Sequence, residues 1–164
     1  MVQTAVGSTD VSDYVIPEQR INLRHGAPEA YAAMLAFATA VGEGLDPLLH
    51  DLVKLRVSQI NGCSYCVDKH SRDAIAAGED ARRLYTVAAW REAPFFTPKE
   101  RAALELAEAM TNVAWTKDVS DEVWKQAEQH FESEELSHLV LAIAAMNALN
   151  RTAVTSRLKL PVHT

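Results

Sequence analysis

Residues 63–70 read Cys63-Ser-Tyr-Cys66-Val-Asp-Lys-His70, and this stretch predicts both a helix start and a reactive centre. Asn61-Gly62 interrupts the chain just before it, and Gly78 offers a stop after it. In a helix over residues 63–77 both thiols and the imidazole share one face, because positions i, i+3 and i+4 are neighbours. Cα atoms three apart in a helix are about 5 Å apart, within the disulfide range of roughly 4.4–6.8 Å. The stretch therefore predicts a redox-active dithiol with its own base.

Reactive thiols need neighbours that favour the thiolate, since a free cysteine has a pKa of about 8.5. The partial positive charge of the first helical turn favours a thiolate at Cys63 or Cys66. An imidazolium at His70 would favour one at Cys66. A third group is needed to orient His70 and to carry protons. We take Asp51, on the preceding helix, as that group, with Ser58 two turns later on roughly the same face.

Helical periodicity and capping residues recur along the chain, whereas no segment combines period-2 alternation with turn chemistry. Residues 1–27 are mixed and weakly periodic, and we interpret them as an N-terminal arm before a helical domain over 28–164. The sequence predicts an all-α fold of about six to seven helices with the CxxC at the start of one. Thr97 and Glu100 predict a capping box, and Ser133 is predicted to cap the last helix. The predicted helices are Pro28 to Val41, from Pro47, 63–77, Asp80 to about Trp90, Thr97 to about Asn112, from Ser120, and Ser133 to about Leu158.

Composition excludes several classes of function. The formal net charge of -6 argues against nucleic acid or an anionic membrane as the main partner. The longest apolar run, Leu139 to Met146, is far shorter than the roughly 20 residues of a transmembrane helix. The first ten residues have neither the basic start nor the apolar core of a signal peptide. Two cysteines three residues apart cannot cross-link a secreted fold through disulfides, so we expect a cytoplasmic protein.

The stretch from Asp51 to His70 resembles the core of the alkylhydroperoxidase AhpD-like proteins of the carboxymuconolactone decarboxylase superfamily. The family pattern is a glutamate, eleven residues, CxxC, three residues and a histidine, which Cys63, Cys66 and His70 match. The glutamate position falls on Asp51, which keeps the carboxylate but is one methylene shorter. Some members carry a second histidine where this chain has Tyr65. The resemblance extends through residues 76–79, 84–85, 89–92, 96–102 and 142–151 and implies an AhpD-like helical bundle.

That resemblance implies a cysteine-based peroxidase that acts on a hydroperoxide. In such proteins the second cysteine is oxidised, the first resolves it to a disulfide, and an external dithiol reductant restores both thiols. Carried over, Cys66 is peroxidatic, Cys63 is resolving, and His70 and Asp51 form the proton relay. The spacing agrees, because His70 follows Cys66 by four residues and Cys63 by seven. By analogy with thioredoxin, the first cysteine, Cys63, would be the nucleophile instead.

Other tasks remain open for the same scaffold. A carboxymuconolactone decarboxylase-like lyase would do without the thiol pair, and a redox-sensing module would use it without turnover. A zinc site is another alternative. Protein-bound zinc usually has about four ligands, of which Cys63, Cys66 and His70 supply three, with Asp51 a possible fourth. Haem attachment would need a histidine directly after Cys66, where Val67 stands. We expect no cofactor and no metal.

Polar and aromatic residues outside the motif favour structural roles. Asn147, Asn150 and Arg151 interrupt an apolar helix, which predicts interhelical or intersubunit hydrogen bonds. Large aromatic side chains are expected in the core or in subunit contacts, and relatives of this architecture imply a closed homo-oligomer, a trimer or hexamer. Three histidines beside polar residues are expected at the surface: His50, His130 and His138.

Overall fold

Helices provide all the regular secondary structure in the computed structural model, which describes residues 15–161. The all-α prediction is confirmed. Within that range nine α-helices follow one another, more than the six or seven expected, because two pieces of four residues count separately. They are α1 (Leu23–Gly26), α2 (Pro28–Gly42), α3 (Pro47–Ile60), α4 (Ser64–Ala76), α5 (Ala81–Thr86), α6 (Pro98–Thr111), α7 (Val113–Thr116), α8 (Asp121–His130) and α9 (Ser133–Ser156).

The predicted arm falls partly within the structure. Its first fourteen residues lie outside the described range, and α1 occupies Leu23–Gly26 near its end. The helix expected to reach Trp90 ends at Thr86 instead, and the chain then forms a 3₁₀ turn over Val87–Ala89. No helix between residues 15 and 161 is long and apolar enough to cross a membrane. The division into an arm and a domain at residue 28 stays a prediction.

Most helix starts follow the chemistry expected of their caps. Proline occupies the first turn of α2, α3 and α6, where its missing N–H costs no hydrogen bond. Thr97 and Glu100 form the predicted capping box, each side chain accepting from the other's backbone N–H. The expected cap at Ser133 is wrong: Ser133 is the first helical residue, and Glu132 precedes it without a side-chain cap bond. Burial of apolar residues along α9 stabilises that helix without a cap.

The core lies where α3, α6 and α9 pack together. Leu52 and Leu55 of α3 and Leu139 of α9 are no more than 1% exposed. One cluster of buried side chains includes both cysteines, and a second lies between α3, the 3₁₀ turn and α6. Trp90 belongs to the second cluster, as predicted for a core aromatic, whereas Trp115 is 85% exposed. Trp90 is therefore a core residue of this chain, and Trp115 is not.

Glu108 ties three parts of this core together. Its Oε1 accepts from Trp90 Nε1 at 2.8 Å and from Arg56 Nε at 2.7 Å, and its Oε2 accepts from Arg91 Nη1 at 2.5 Å. Burial raises the pKa of Glu108, but the hydrogen bonds from Arg91, Trp90 and Arg56 outweigh it and hold the pKa below its ordinary value. The carboxylate therefore joins α3 and the segment after the 3₁₀ turn to α6.

Buried amides form a second polar network, at the end of α3. Asn61 Nδ2 donates to Asn147 Oδ1 at 2.9 Å and to Asn150 Oδ1 at 3.0 Å, both on α9. Asn150 Nδ2 donates in turn to Ser58 Oγ at 3.1 Å, and Arg151 Nη1 donates to Asn147 Oδ1 at 2.8 Å. The predicted interhelical hydrogen bonds are present for Asn147 and Asn150, whereas the bonds of Arg151 stay within α9. The Asn61 bonds hold the chain just before the CxxC against α9.

Asn150→Leu should lower the free energy of unfolding by about 1–3 kcal/mol, because it removes the acceptor of one Asn61 Nδ2 hydrogen bond and the amide that donates to the fully buried Ser58 Oγ. Ser137→Ala is the control, since the Ser137 hydroxyl is exposed and bonds only one turn back on the same helix. Its effect should stay within about 0.5 kcal/mol. Urea unfolding of both variants measures the difference, and equal losses would contradict a special role for the amide network.

Candidate active site

The turn between α3 and α4 sets the position of the thiols. Gly62 adopts a φ of +67°, a left-handed conformation that favours glycine, although a Cβ there would meet nothing within 4 Å. The backbone N–H of Cys63 then donates to the carbonyl oxygen of Ser58 at 3.0 Å. This places Cys63 in an extended conformation as the N-cap of α4. The requirement at Gly62 is therefore conformational rather than steric.

Cys63 and Cys66 are joined as a disulfide, with Cα atoms 5.3 Å apart. The i, i+3 spacing thus gives the disulfide geometry that the sequence predicts for a helix start. The Sγ of Cys63 also accepts a hydrogen bond from the backbone N–H of Cys66, at 3.3 Å. Both residues are buried, at 2% and 5% exposure. One sulfur therefore caps the helix whose third residue carries the other.

His70 lies one turn after Cys66 on α4 and is buried. Burial lowers its pKa to about 3, assisted by the positive charges of Lys54 and Lys69, while Asp73 acts in the opposite direction. The ring is therefore neutral at pH 7 in the disulfide form, and not the imidazolium considered from the sequence. Its Nδ1 is 3.9 Å from Asp73 Oδ2 and has no hydrogen-bond partner among residues 15–161. The neutral ring has a nitrogen free to accept a proton, but the low pKa makes it a weak base in the disulfide form.

Asp51 lies on α3 and is buried, at 6% exposure. Its Oδ1 pairs with Lys54 Nζ at 2.6 Å, one turn along the same helix. Within the described residues no hydrogen bond joins Asp51 to His70; the Lys54 ammonium, which also lowers the pKa of His70, is the charge common to both. The other candidate, Ser58, donates to the Lys54 carbonyl at 2.7 Å and belongs to the amide network. The structure thus brings Cys63, Cys66 and His70 together, whereas Asp51 is ion-paired with Lys54 and not hydrogen-bonded to His70.

His50 was expected at the surface and is instead half-buried beneath the turn after α2. A Cβ on Gly42 would come within 2.6 Å of its Cε1, so only glycine leaves room for the ring. Burial lowers the pKa of His50 to about 4, with Lys54 acting in the same direction and Asp51 against it. The one sequence signal for this residue was its place beside Asp51 on a largely apolar helix. His50 is therefore a second neutral imidazole, besides His70, on which the charge of Lys54 acts.

Two cavities flank the disulfide. The first, of about 670 Å³, is lined by Cys63 together with residues 15–17, 62–65 and 157–160, and with Ala153 and Val154. The second, of about 500 Å³, is lined by Cys66 and His70, and among its other residues are Tyr31, Leu35 and Met146. Tyr65, Ala153 and Leu158 line both cavities and lie between them. Cys63 and Cys66 therefore line different cavities, and His70 shares one with Cys66.

A metal half-site was one alternative for the CxxC stretch. Among residues 15–161 no group of three or more His, Cys, Asp or Glu side chains is placed to hold a metal ion. The two sulfur atoms are bonded to each other. The described geometry is that of a dithiol–disulfide centre.

Comparison with known proteins agrees with this fold. The sequence profile of the Carboxymuconolactone decarboxylase family matches residues 28–109, and the chain belongs to that family. The uncharacterised Bacillus subtilis protein YdfG is 36% identical over 137 residues, which cover 83% of this chain and 92% of that protein. A protein of unknown function from Agrobacterium tumefaciens, a candidate AhpD antioxidant defence protein, is 37% identical in its crystal structure. Its TM-score is 0.85, with 89% of this chain and 100% of that chain covered.

A more distant structure shares the fold alone. The uncharacterised peroxidase-related protein of Ralstonia eutropha, described as an alkylhydroperoxidase AhpD core, has a TM-score of 0.74 at 22% identity. The match covers 85% of this chain and 74% of that one. The fold of this chain is therefore AhpD-like, and its centre is a CxxC disulfide.

The low pKa of His70 makes the oxidised protein sensitive to acid. The unfolded chain binds a proton at His70 near pH 6.5, whereas the folded protein binds it only near pH 3. The free energy of unfolding should therefore be unaffected above the unfolded pKa and fall as the pH drops through this window. In oxidised His70→Gln the fall should be shallower, with the remainder from His50 and Glu108, whose pKa values are also lowered in the folded protein. Urea unfolding at several pH values measures this, and parallel curves for both proteins would contradict it.

Proposed function

We propose that the protein is a thiol-dependent peroxidase that reduces hydroperoxides through the Cys63–Cys66 dithiol–disulfide cycle. The observation that carries the proposal is the arrangement of one cavity, in which a buried neutral imidazole and the sulfur of Cys66 line the same space. The family and the AhpD-like fold support it. In this proposal Cys66 is the peroxidatic residue and Cys63 the resolving residue.

The first step oxidises Cys66. His70 takes the proton of the Cys66 thiol, and the thiolate attacks the terminal oxygen of the hydroperoxide. The O–O bond breaks, the sulfur becomes a sulfenic acid, and the alkoxide leaves with the electron pair. His70 then returns its proton to that alkoxide, which departs as the alcohol. Placement of Cys66 in the first turn of α4 supports this role, because the helix N-terminus stabilises a thiolate there.

The second step uses Cys63. Its thiolate attacks the sulfur of the Cys66 sulfenic acid, the S–O bond breaks, and the hydroxyl leaves as water after gaining a proton. The Cys66 N–H that points at Cys63 Sγ favours a thiolate on that sulfur too, which suits an attacking residue. This hydrogen bond by itself would also fit a first-cysteine nucleophile, as in thioredoxin. The shared cavity of Cys66 and His70 is the observation that favours our assignment.

The carboxylate of Asp51 enters the proposal through Lys54. Because Asp51 neutralises the ammonium that disfavours a proton on His70, it makes the imidazole a better base. Asp51 is therefore proposed as a positioning and electrostatic residue of the relay, in keeping with the family's glutamate. Its shorter side chain reaches Lys54 at 2.6 Å.

Substitution of each cysteine tests the assignment of roles. Cys66→Ser should abolish peroxide consumption, since no sulfur remains beside His70. Cys63→Ser should consume one equivalent of peroxide and retain a sulfenic acid on Cys66, which dimedone labelling and peptide mass spectrometry detect. Stopped-flow mixing of the reduced proteins with hydrogen peroxide and an organic hydroperoxide gives the rates. A trapped sulfenic acid on Cys63 would reverse the roles, and no thiol loss in wild type would reject the peroxidase.

Asp51→Asn and His70→Gln should each slow thiol oxidation by about 10²–10⁴-fold, the usual contribution of positioned acid–base groups. The double variant should be little slower than either, because residues that act as one unit are non-additive. Asp51→Glu should retain most activity. Asp73→Asn is the matched control, since it removes the carboxylate nearest to His70 Nδ1 from the exposed side. A larger loss in Asp73→Asn than in Asp51→Asn would contradict the relay through Lys54.

A further inference from the structure

The cavity on the Cys63 side has no task in the oxidation half of the cycle. It is the larger of the two, and the segment that includes residues 15–17 forms one wall. That segment is fastened to the end of α9, because the Arg20 backbone N–H donates to the Ser156 carbonyl at 2.9 Å and Arg20 Nη1 donates to the Thr155 carbonyl at 3.3 Å. A volume of about 670 Å³ lies within the usual range of small-molecule sites.

The described residues that line this cavity carry charge of one sign. Arg157 and Lys159 line it, and among residues 15–161 no aspartate or glutamate does. Within residues 15–161 neither cation lies within 4.0 Å of a carboxylate, and both are exposed. The whole chain carries a formal net charge of -6, so this positive patch is local and opposes the overall charge. Such a cavity attracts a small anion more strongly than a neutral molecule of equal size.

The chemistry of disulfide exchange connects this cavity to the reductant. A thiolate must approach the attacked sulfur along the S–S axis, from the side away from the leaving sulfur. Cys63 lines this cavity and Cys66 does not, so Cys63 is the cysteine that a thiol bound here would meet. The leaving sulfur is then Cys66, in the first turn of α4, where the helix N-terminus stabilises the departing thiolate.

We propose that the Cys63-side cavity binds the external reductant, and that the reductant is a small thiol carrying an anionic group. The inference rests on the proposed peroxidase cycle and names the partner of its reductive half. The incoming thiolate attacks Cys63 Sγ, the S–S bond breaks, and Cys66 leaves with the electron pair and gains a proton. A second thiol then attacks the reductant's sulfur in the mixed disulfide and releases Cys63. The centre gains two electrons and two protons, and the reductant ends as its own disulfide.

The test uses the isolated disulfide form of the full chain and no peroxide. Its reduction is timed by thiol alkylation with three monothiols of similar size: 2-mercaptoethanesulfonate, 2-mercaptoethanol and cysteamine. Rates are corrected for the thiolate fraction and nucleophilicity of each thiol. The anionic thiol should react about five- to tenfold faster than the neutral one, and the cationic thiol more slowly, because one exposed charge pair at contact contributes about a fivefold effect. The preference should shrink as salt is added.

Variants locate the effect. Arg157→Asn and Lys159→Gln should each remove most of the anion preference while the rate with 2-mercaptoethanol changes less than about twofold. Asparagine suits residue 157, because Arg157 has a φ of +52°. Lys117→Asn is the matched control: Lys117 is also a cation that ends a helix at positive φ, here 64°, and it does not line this cavity. It should keep the full preference.

Three results would overturn the proposal. The first is an equal corrected rate for all three thiols. The second is loss of the preference in Lys69→Gln, since Lys69 lines the other cavity and the thiol would then enter beside Cys66. The third is reduction by thioredoxin at least 100-fold faster than by any small thiol and unaffected by Arg157→Asn, which would identify a protein-borne reductant. Because peroxide is absent, failure here leaves the peroxidase assignment standing, and failure of that assignment leaves this result standing.

Discussion

The hydrogen bonds from Asn61 to two amides of α9 are the constraint on which the rest of the site depends. They fix Asn61, the residue that follows α3, against the longest helix, and Gly62 then turns the backbone so that Cys63 caps α4. Because α4 carries Cys66 at its third position and His70 one turn later, fixing its N-cap residue also fixes the positions of Cys66 and His70. An amide network can do this at low cost only when every member has a partner, and the α9 amides are satisfied by Ser58, Thr111 and Arg151 as well as by Asn61.

Local patterns in the sequence were sufficient for the features that depend on a single helix. The i, i+3 cysteines, the capping box at Thr97 and the proline starts each follow from geometry within one or two turns. Features that depend on tertiary contacts could not be predicted from such local patterns. Nothing in the sequence shows that Lys54 acts on His70 of the next helix, or that the ring of His50 fits beneath Gly42. The Ser133 cap failed for a related reason, since core burial along α9 outweighs the local capping preference.

The electrostatics of the site change with its redox state. In the disulfide form neither sulfur is charged, and the ring of His70 meets burial and two ammonium groups that together keep it neutral. Reduction would place a negative charge on a sulfur in the same cavity as His70, and an opposite charge at short range favours the protonated imidazole. The proton inventory of His70 is thus tied to the oxidation state of Cys66. Burial contributes most to the lowered pKa of His70 and Lys54 next, and Lys54 is ion-paired with Asp51.

In the peroxidase cycle that we propose, a buried disulfide with a separate cavity on each side gives the oxidant and the reductant different routes. The oxidant must reach a thiolate beside a base, whereas the reductant must reach a sulfur whose partner can leave as a thiolate. If both used one route, whichever bound would obstruct the other. Tyr65, Ala153 and Leu158 line both cavities and lie between them, so the proposed routes approach Cys66 and Cys63 from different sides. The i, i+3 spacing makes this possible, because it bonds a sulfur at the helix cap to one on the helix face.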